Sequence, residues 1–182
     1  MDDLTRSMGN VSFYYQGRII ENIRISNTVD AYAVNGWESM KLENHSGIVD
    51  NYRFPKGDPE VMARYNAPLY LAVKMNRKVV STGDTTLVDT YIVNEKNLKG
   101  SYILNLVAKD ESGNVVASHK ERVTVKGGND YGQCLQSGWA FIPKSKGYTR
   151  IEASLLKGKT ELVKGDDLLF AVELNTKGIT TR

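Results

Sequence analysis

Two hydrophobic periodicities divide the chain. From Leu4 to Ile25 apolar residues recur at helical spacing, with Met8, Val11, Tyr15, Ile19 and Ile23 in line and Tyr14 and Ile20 beside them. This predicts one amphipathic helix, strongest from Ser12 to Ile25 and weakened by Gly9 and Gly17, since glycine inside a helix costs about 1 kcal/mol relative to alanine. Asp30 to Asn35 is a short apolar run between Asn27 and Gly36, too short for a helix, and reads as a buried strand. A polar loop from Gly36 to Gly57 follows. Asp58 then offers a cap, Pro59 suits the first helical position and Glu60 complements the dipole, which predicts a helix from Pro59 to Asn66.

Beyond Pro68 the period changes to two. Tyr70 to Lys74, Leu87 to Val93, Ser101 to Ala108, Val115 to Val125, Cys134 to Ile142, Thr149 to Leu156 and Leu168 to Leu174 read as seven strands. Turn residues separate them: Gly83-Asp84, Lys99-Gly100, Asp110 to Asn114, Gly127-Gly128, Lys146-Gly147 and Gly165-Asp166. Seven short strands without an intervening helix are the pattern of an immunoglobulin-like sandwich, and Tyr148 stands where such folds place a corner tyrosine. The fold class is therefore mixed. Residues 1–68 form a partial α/β unit of one strand with flanking helices, and residues 69–182 an all-β sandwich. Charge supports that boundary, with 7 basic and 9 acidic groups before it and 17 and 12 after it.

One strand between two helices cannot satisfy both of its edges, so the first unit needs strands from elsewhere. The 182 residues are 41% hydrophobic and 25% charged, enough to bury a core. A net charge of +3, dispersed along the chain, argues against a nucleic-acid partner. No apolar run is long enough to span a bilayer and Met1-Asp2-Asp3 does not open a signal segment, so neither membrane insertion nor export is expected of the chain as it stands. Cys134 is the single cysteine, which excludes an internal disulfide or a thiolate zinc site, and it reads as a buried strand residue. His45 has no histidine near it and His119 lies in a strand, so no metal site is expected. Phosphate-binding, dinucleotide-binding and nucleophile-elbow motifs are absent, and no cofactor is expected.

The loop from Gly36 to Gly57 is long for a connector and concentrates Trp37, Glu38, Glu43, Asn44, His45, Asp50 and Arg53, which marks it as the candidate functional segment. Val34-Asn-Gly-Trp-Glu38, Leu42-Glu-Asn-His-Ser-Gly-Ile-Val-Asp50 and Tyr52-Arg-Phe-Pro-Lys-Gly-Asp-Pro59 resemble the end of the catalytic barrel in family 2 glycoside hydrolases, the β-galactosidase and β-glucuronidase type. Ala67 to Val73, Val93 to Gly100 and Gly165 to Ala171 resemble the immunoglobulin-like domain that follows the barrel in some of them. The resemblance covers nearly the whole chain.

It implies that Ser12 to Ile25 is the seventh barrel helix, Asp30 to Asn35 the eighth strand and Pro59 to Asn66 the eighth helix. The loop after that strand would then lie at the active-site rim. Trp37 would form the floor under a sugar ring, Glu38 and Asn35 would bond sugar hydroxyls, and His45 and Asn44 would order the loop. The family's two catalytic glutamates follow the fourth and seventh strands, both upstream of Met1, so no catalytic residue is assigned here. The expected partners are a carbohydrate substrate, met through the parent enzyme, and an upstream barrel domain; the parent's compartment is periplasmic or extracellular under this resemblance. The alternative is a non-catalytic binding or structural module in which residues 1–68 pack onto the sandwich.

Overall fold

Strand β1 (Leu69–Met75) is the centre of the architecture because it is buried on both faces. Leu71 and Val73 point into a core between two sheets, while Tyr70 and Ala72 point into a second core under two helices. The computed structural model describes residues 2–34, 47–50 and 52–173. Around β1 stand helices α1 (Asp2–Ser26) and α2 (Pro59–Tyr65) and strands β2 (Val79–Ser81), β3 (Thr86–Asn94), β4 (Gly100–Lys109), β5 (Val115–Val125), β6 (Gly132–Phe141), β7 (Gly147–Lys157) and β8 (Thr160–Val172).

The strands form a β-sandwich, with a three-stranded sheet in the order β1-β3-β6 facing a five-stranded sheet in the order β2-β8-β7-β4-β5. Alternation builds it: Tyr102, Leu104, Leu106 and Ala108 of β4 and Ile151, Ala153 and Leu155 of β7 point inward, and the residues between them, among them Asn105, Glu152 and Ser154, point out. The β4–β5 hairpin turns as its sequence requires. Asp110 Oδ1 accepts from the backbone N–H of Ser112 and Asn114 at 3.0 and 2.8 Å, and Gly113 takes φ +82°.

All seven predicted strands are present, and the differences have local causes. The three-residue β2 lacks enough alternation to read as a strand, and it pairs parallel with β8. Strand β8 begins at Thr160 and not at Leu168, because Gly165-Asp166 is not a turn: Gly165 pairs with Ala153, and a side chain there would meet Leu71 O at 1.9 Å. The turn falls at Gly158, φ +64°. Tyr148 is not a corner tyrosine; its ring is exposed and tilts against its cross-strand partner Phe170, with centroids 4.7 Å apart. Cys134 is exposed, because β6 is an edge strand with one face in solvent.

The N-terminal third departs further. Residues 30–34 form no strand and lie exposed, since no other described strand pairs with them. Helix α1 forms as expected, yet it turns its apolar line outward: Leu4, Met8, Val11, Tyr15 and Ile19 are between 54% and 66% exposed. Phe13 and Ile20 face inward with Gly9 and Gly17. The glycines that weaken the helix allow close packing. A Cβ on Gly9 would lie 1.8 Å from Lys56 O, and one on Gly17 would lie 2.0 Å from the ring of Tyr65. Helix α2 caps as predicted, Asp58 Oδ1 accepting from Glu60 N at 3.0 Å.

Gly17→Ala should therefore destabilise by about 1 to 3 kcal/mol, although alanine is the better helix former, because α1 and α2 would be forced apart. Urea unfolding tests this; a variant as stable as the parent would show that the two helices do not pack at this distance.

Candidate functional site

The segment singled out by sequence is described only in part. Asn35, Trp37, Glu38, Asn44 and His45, like Glu43, lie outside the described residues. The end of the loop is a rigid turn. Asp50 Oδ1 accepts from Tyr52 N and Phe54 N at 2.8 and 2.9 Å, Asp50 N donates to Phe54 O at 2.9 Å, and Val49 bridges Pro55. Asp50 is thus a turn-former. Tyr52 and Phe54 project into solvent from this turn. Its base is closed by Ile48 O accepting from Lys56 N at 3.0 Å and tied to α1 by Asn10 Oδ1 accepting from Asp58 N at 2.6 Å. Burial lowers the Lys56 ammonium below the ordinary lysine range, opposed by the charge of Asp50.

A cleft of about 680 Å³ opens beside residues 29–32, with Arg24, Asp30, Tyr32, Glu95, Asn129 and Tyr131 among its lining residues. Three of these side chains, Arg24, Glu95 and Tyr32, are committed to structure. Arg24 donates to Tyr65 O at 2.5 Å, to Ala67 O at 2.7 Å and to Glu95 Oε1 at 2.7 Å, and the Tyr32 hydroxyl donates to Asn66 Oδ1 at 2.6 Å.

The strongest electrostatic feature was not foreseen. Arg18 is buried between α1 and the sandwich, with Nη1 on Glu21 Oε2 at 3.1 Å and Nη2 on both Asp167 Oδ2 and Val73 O at 2.7 Å. Tyr70 donates to Glu21 Oε2 at 2.6 Å, Tyr14 donates to Asp167 Oδ1 at 2.6 Å, and Lys78 donates to Asp167 Oδ1 at 2.8 Å. Lys74 approaches Glu21 Oε1 at 3.4 Å without completing a hydrogen bond. Both carboxylate side chains have no exposed surface. Two carboxylates on one guanidinium look like an acid/base pair, but both are fully buried and paired with the guanidinium; their geometry is that of a clasp.

Burial pushes the Glu21 carboxyl above its ordinary value, against the opposing pull of Arg18, Tyr70 and Lys74. Burial likewise raises the Tyr14 and Tyr70 hydroxyls, so both remain protonated donors. Among the described residues no group of three His, Cys, Asp or Glu side chains could hold a metal ion, and no helix is long and apolar enough to cross a membrane. The clasp is illegible in sequence because Arg18 and Glu21 lie about 150 residues from Asp167, which stands beside an expected turn.

No protein-family profile matches the chain, and no curated protein matches it. Solved structures that superpose on part of it include a glycosyl hydrolase family 2 member from Bacteroides cellulosilyticus, 16% identical over 57% of this chain and 15% of that one, with a TM-score of 0.44. A family 2 β-glucuronidase is 14% identical over 56% of this chain and 11% of that one, with a TM-score of 0.42. The CARDB domain of a Pyrococcus furiosus protein, in complex with di-metal ions, is 15% identical over 57% of this chain and 87% of that one, with a TM-score of 0.39. The chain thus spans a small fraction of the two hydrolases' length.

Arg18→Met should cost about 3 to 5 kcal/mol, since it leaves Glu21 and Asp167 buried without their shared cation. Loss of less than 1 kcal/mol in urea unfolding would show that water already reaches the pair. For Glu21 the sign follows from its raised value: its contribution to stability is fully present below the ordinary carboxyl range and is lost as pH rises through the raised value. The parent should therefore lose stability relative to Glu21→Gln between acidic and neutral pH. A difference between the two that stays constant with pH would contradict the raised value.

Proposed function

We propose that the chain is the C-terminal portion of a retaining glycoside hydrolase of the family 2 type, acting on β-linked glycosides. It contributes a loop at the rim of the active site and an immunoglobulin-like accessory sandwich, while the two catalytic carboxyl groups come from the preceding polypeptide. The carrying observation is the segment at residues 30–34, an apolar run that reads as a buried strand but has no strand partner among the described residues. It leads into the loop whose residues resemble the rim of such a barrel, and the turn of residues 47–57 anchors the far end of that loop on α1.

The proposed chemistry follows from the residue types. A retaining enzyme places two carboxyl groups about 5 Å apart, one as nucleophile and one as acid/base. Trp37 would present its indole to the apolar face of the sugar ring, which buries area without demanding hydrogen bonds. Glu38 and Asn35 would accept from and donate to ring hydroxyls, and Asn44 and His45 would hold the loop in register. A second reading, a non-catalytic β-sandwich module, is favoured by one observation: α1 and α2 already cover the outer face of the three-stranded sheet.

In the whole enzyme, Trp37→Ala should lower kcat/KM by on the order of 1 to 3 kcal/mol, roughly tenfold to a hundredfold, with a smaller effect on folding. Hydrolysis of a chromogenic β-glycoside and the melting temperature, measured together, separate the roles. A variant that melts early yet keeps full activity when cold would return Trp37 to the core, and absence of hydrolysis by the whole enzyme would favour the module.

A further inference from the structure

Strand β5 ends the five-stranded sheet, and among the described strands none pairs with its outer side. The backbone N–H and C=O groups along such an edge are a template for another strand. Gln133, reaching across from β6, closes one end: it accepts from Lys126 N at 2.9 Å and donates to Thr124 O at 2.7 Å. Alternate residues of an antiparallel strand turn their backbone groups to the same side, so Ser118, Lys120 and Arg122 present theirs to the open edge as Thr124 does.

The strand reads alike in both directions about Lys120. Val115 answers Val125, Val116 answers Thr124, Ala117 answers Val123, Ser118 answers Arg122, and His119 answers Glu121. His119 and Glu121 lie on the inner side of β5, where the imidazole stacks over Trp139 of β6 with centroids 6.2 Å apart. The two side chains are 38% and 35% exposed, and His119 Nε2 stays 3.7 Å from Glu121 Oε1, an oxygen without a hydrogen bond.

From this we infer that two copies of this chain pair through β5, antiparallel about a two-fold axis at Lys120, so that their five-stranded sheets run on into one another. Backbone bonds then join Ser118 to Arg122 on both sides of the axis and Lys120 to its own copy, clear of the end that Gln133 closes. Each His119 stands opposite Glu121 of the second copy. Inward charges on an edge strand ordinarily keep other strands away. Here their order admits the copy and fixes its register, because a slip of two residues sets Glu121 against Glu121, or His119 against His119, and like charges directly opposite are destabilising. One like pair remains, the two Lys120 side chains on the axis; they lie on the solvent side, where flexible stems carry the ammonium groups apart.

Sedimentation equilibrium of the 182-residue protein should show monomer and dimer in exchange. His119→Glu and Glu121→Lys should each weaken the dimer at least about tenfold, since each sets like charges opposite one another twice. An equimolar mixture of these two variants should recover pairing as a heterodimer, because every introduced charge then meets its opposite. Lys120→Thr, which leaves the inner side untouched, should tighten the dimer by up to about fivefold by removing the axial pair. Val11→Asp, on the exposed side of α1, should change nothing. A protein that stays monomeric would overturn the proposal, as would a dimer that the His119 and Glu121 variants leave intact. Failure of the mixture to pair, or of Lys120→Thr to tighten the dimer, would likewise overturn it.

Discussion

A single guanidinium, that of Arg18, decides how the helical layer meets the β-sandwich. Its two terminal nitrogens reach one carboxylate on its own helix, one on β8 and a carbonyl of β1, three elements distant in sequence. Taking these charges out of water is costly, and their mutual attraction offsets that cost only with every lone pair occupied. Tyr70, Tyr14 and Lys78 meet most of that requirement from three sides, and Glu21 Oε1 has Lys74 at 3.4 Å without a hydrogen bond. The geometry is intolerant of sliding. An apolar face on β1 would accept α1 at many rotations, whereas this network accepts one.

That constraint explains the inversion of the helix. Hydrophobic burial alone would turn Leu4, Met8, Val11, Tyr15 and Ile19 toward the sheet, because they form the wider apolar face. The opposite face has Phe13 and Ile20 as its apolar content, with Gly9 allowing backbone to approach the backbone of Lys56 and Gly17 making room for the ring of Tyr65. Close packing of α1 against α2 and a largely satisfied ionic network together outweigh the simple pattern. The rings of Tyr65 and Tyr70, 5.6 Å apart, lie in the core beneath.

The elements were legible wherever local chemistry decides. Alternation located seven strands, Asp110 and Gly113 marked their turn, and Asp58 with Pro59 marked the start of α2. Orientation was not legible, because it depends on partners far away in sequence. Nothing near Arg18 announces Asp167, and a charged residue on a helix reads as solvated until its partner is known. Gly165 misled for a related reason: glycine serves both turns and close backbone approaches, and only the position of Leu71 distinguishes them. Of the candidate site, the turn around Asp50 is described and proves structural, whereas the aromatic and polar residues from Asn35 to His45 lie outside the described residues.

The short strand β2 links this network to an edge of the five-stranded sheet. Its three residues cover the terminal edge of β8, and Lys78, immediately before it, both accepts from Phe170 N at 2.7 Å through its carbonyl and donates to Asp167 through its ammonium. One residue thereby ties the guard of a sheet edge to the clasp beneath α1. An uncovered strand edge is a template for pairing with another molecule. The closure of this sheet edge is thus coupled, through a lysine, to the seating of a helix on the opposite side of the core.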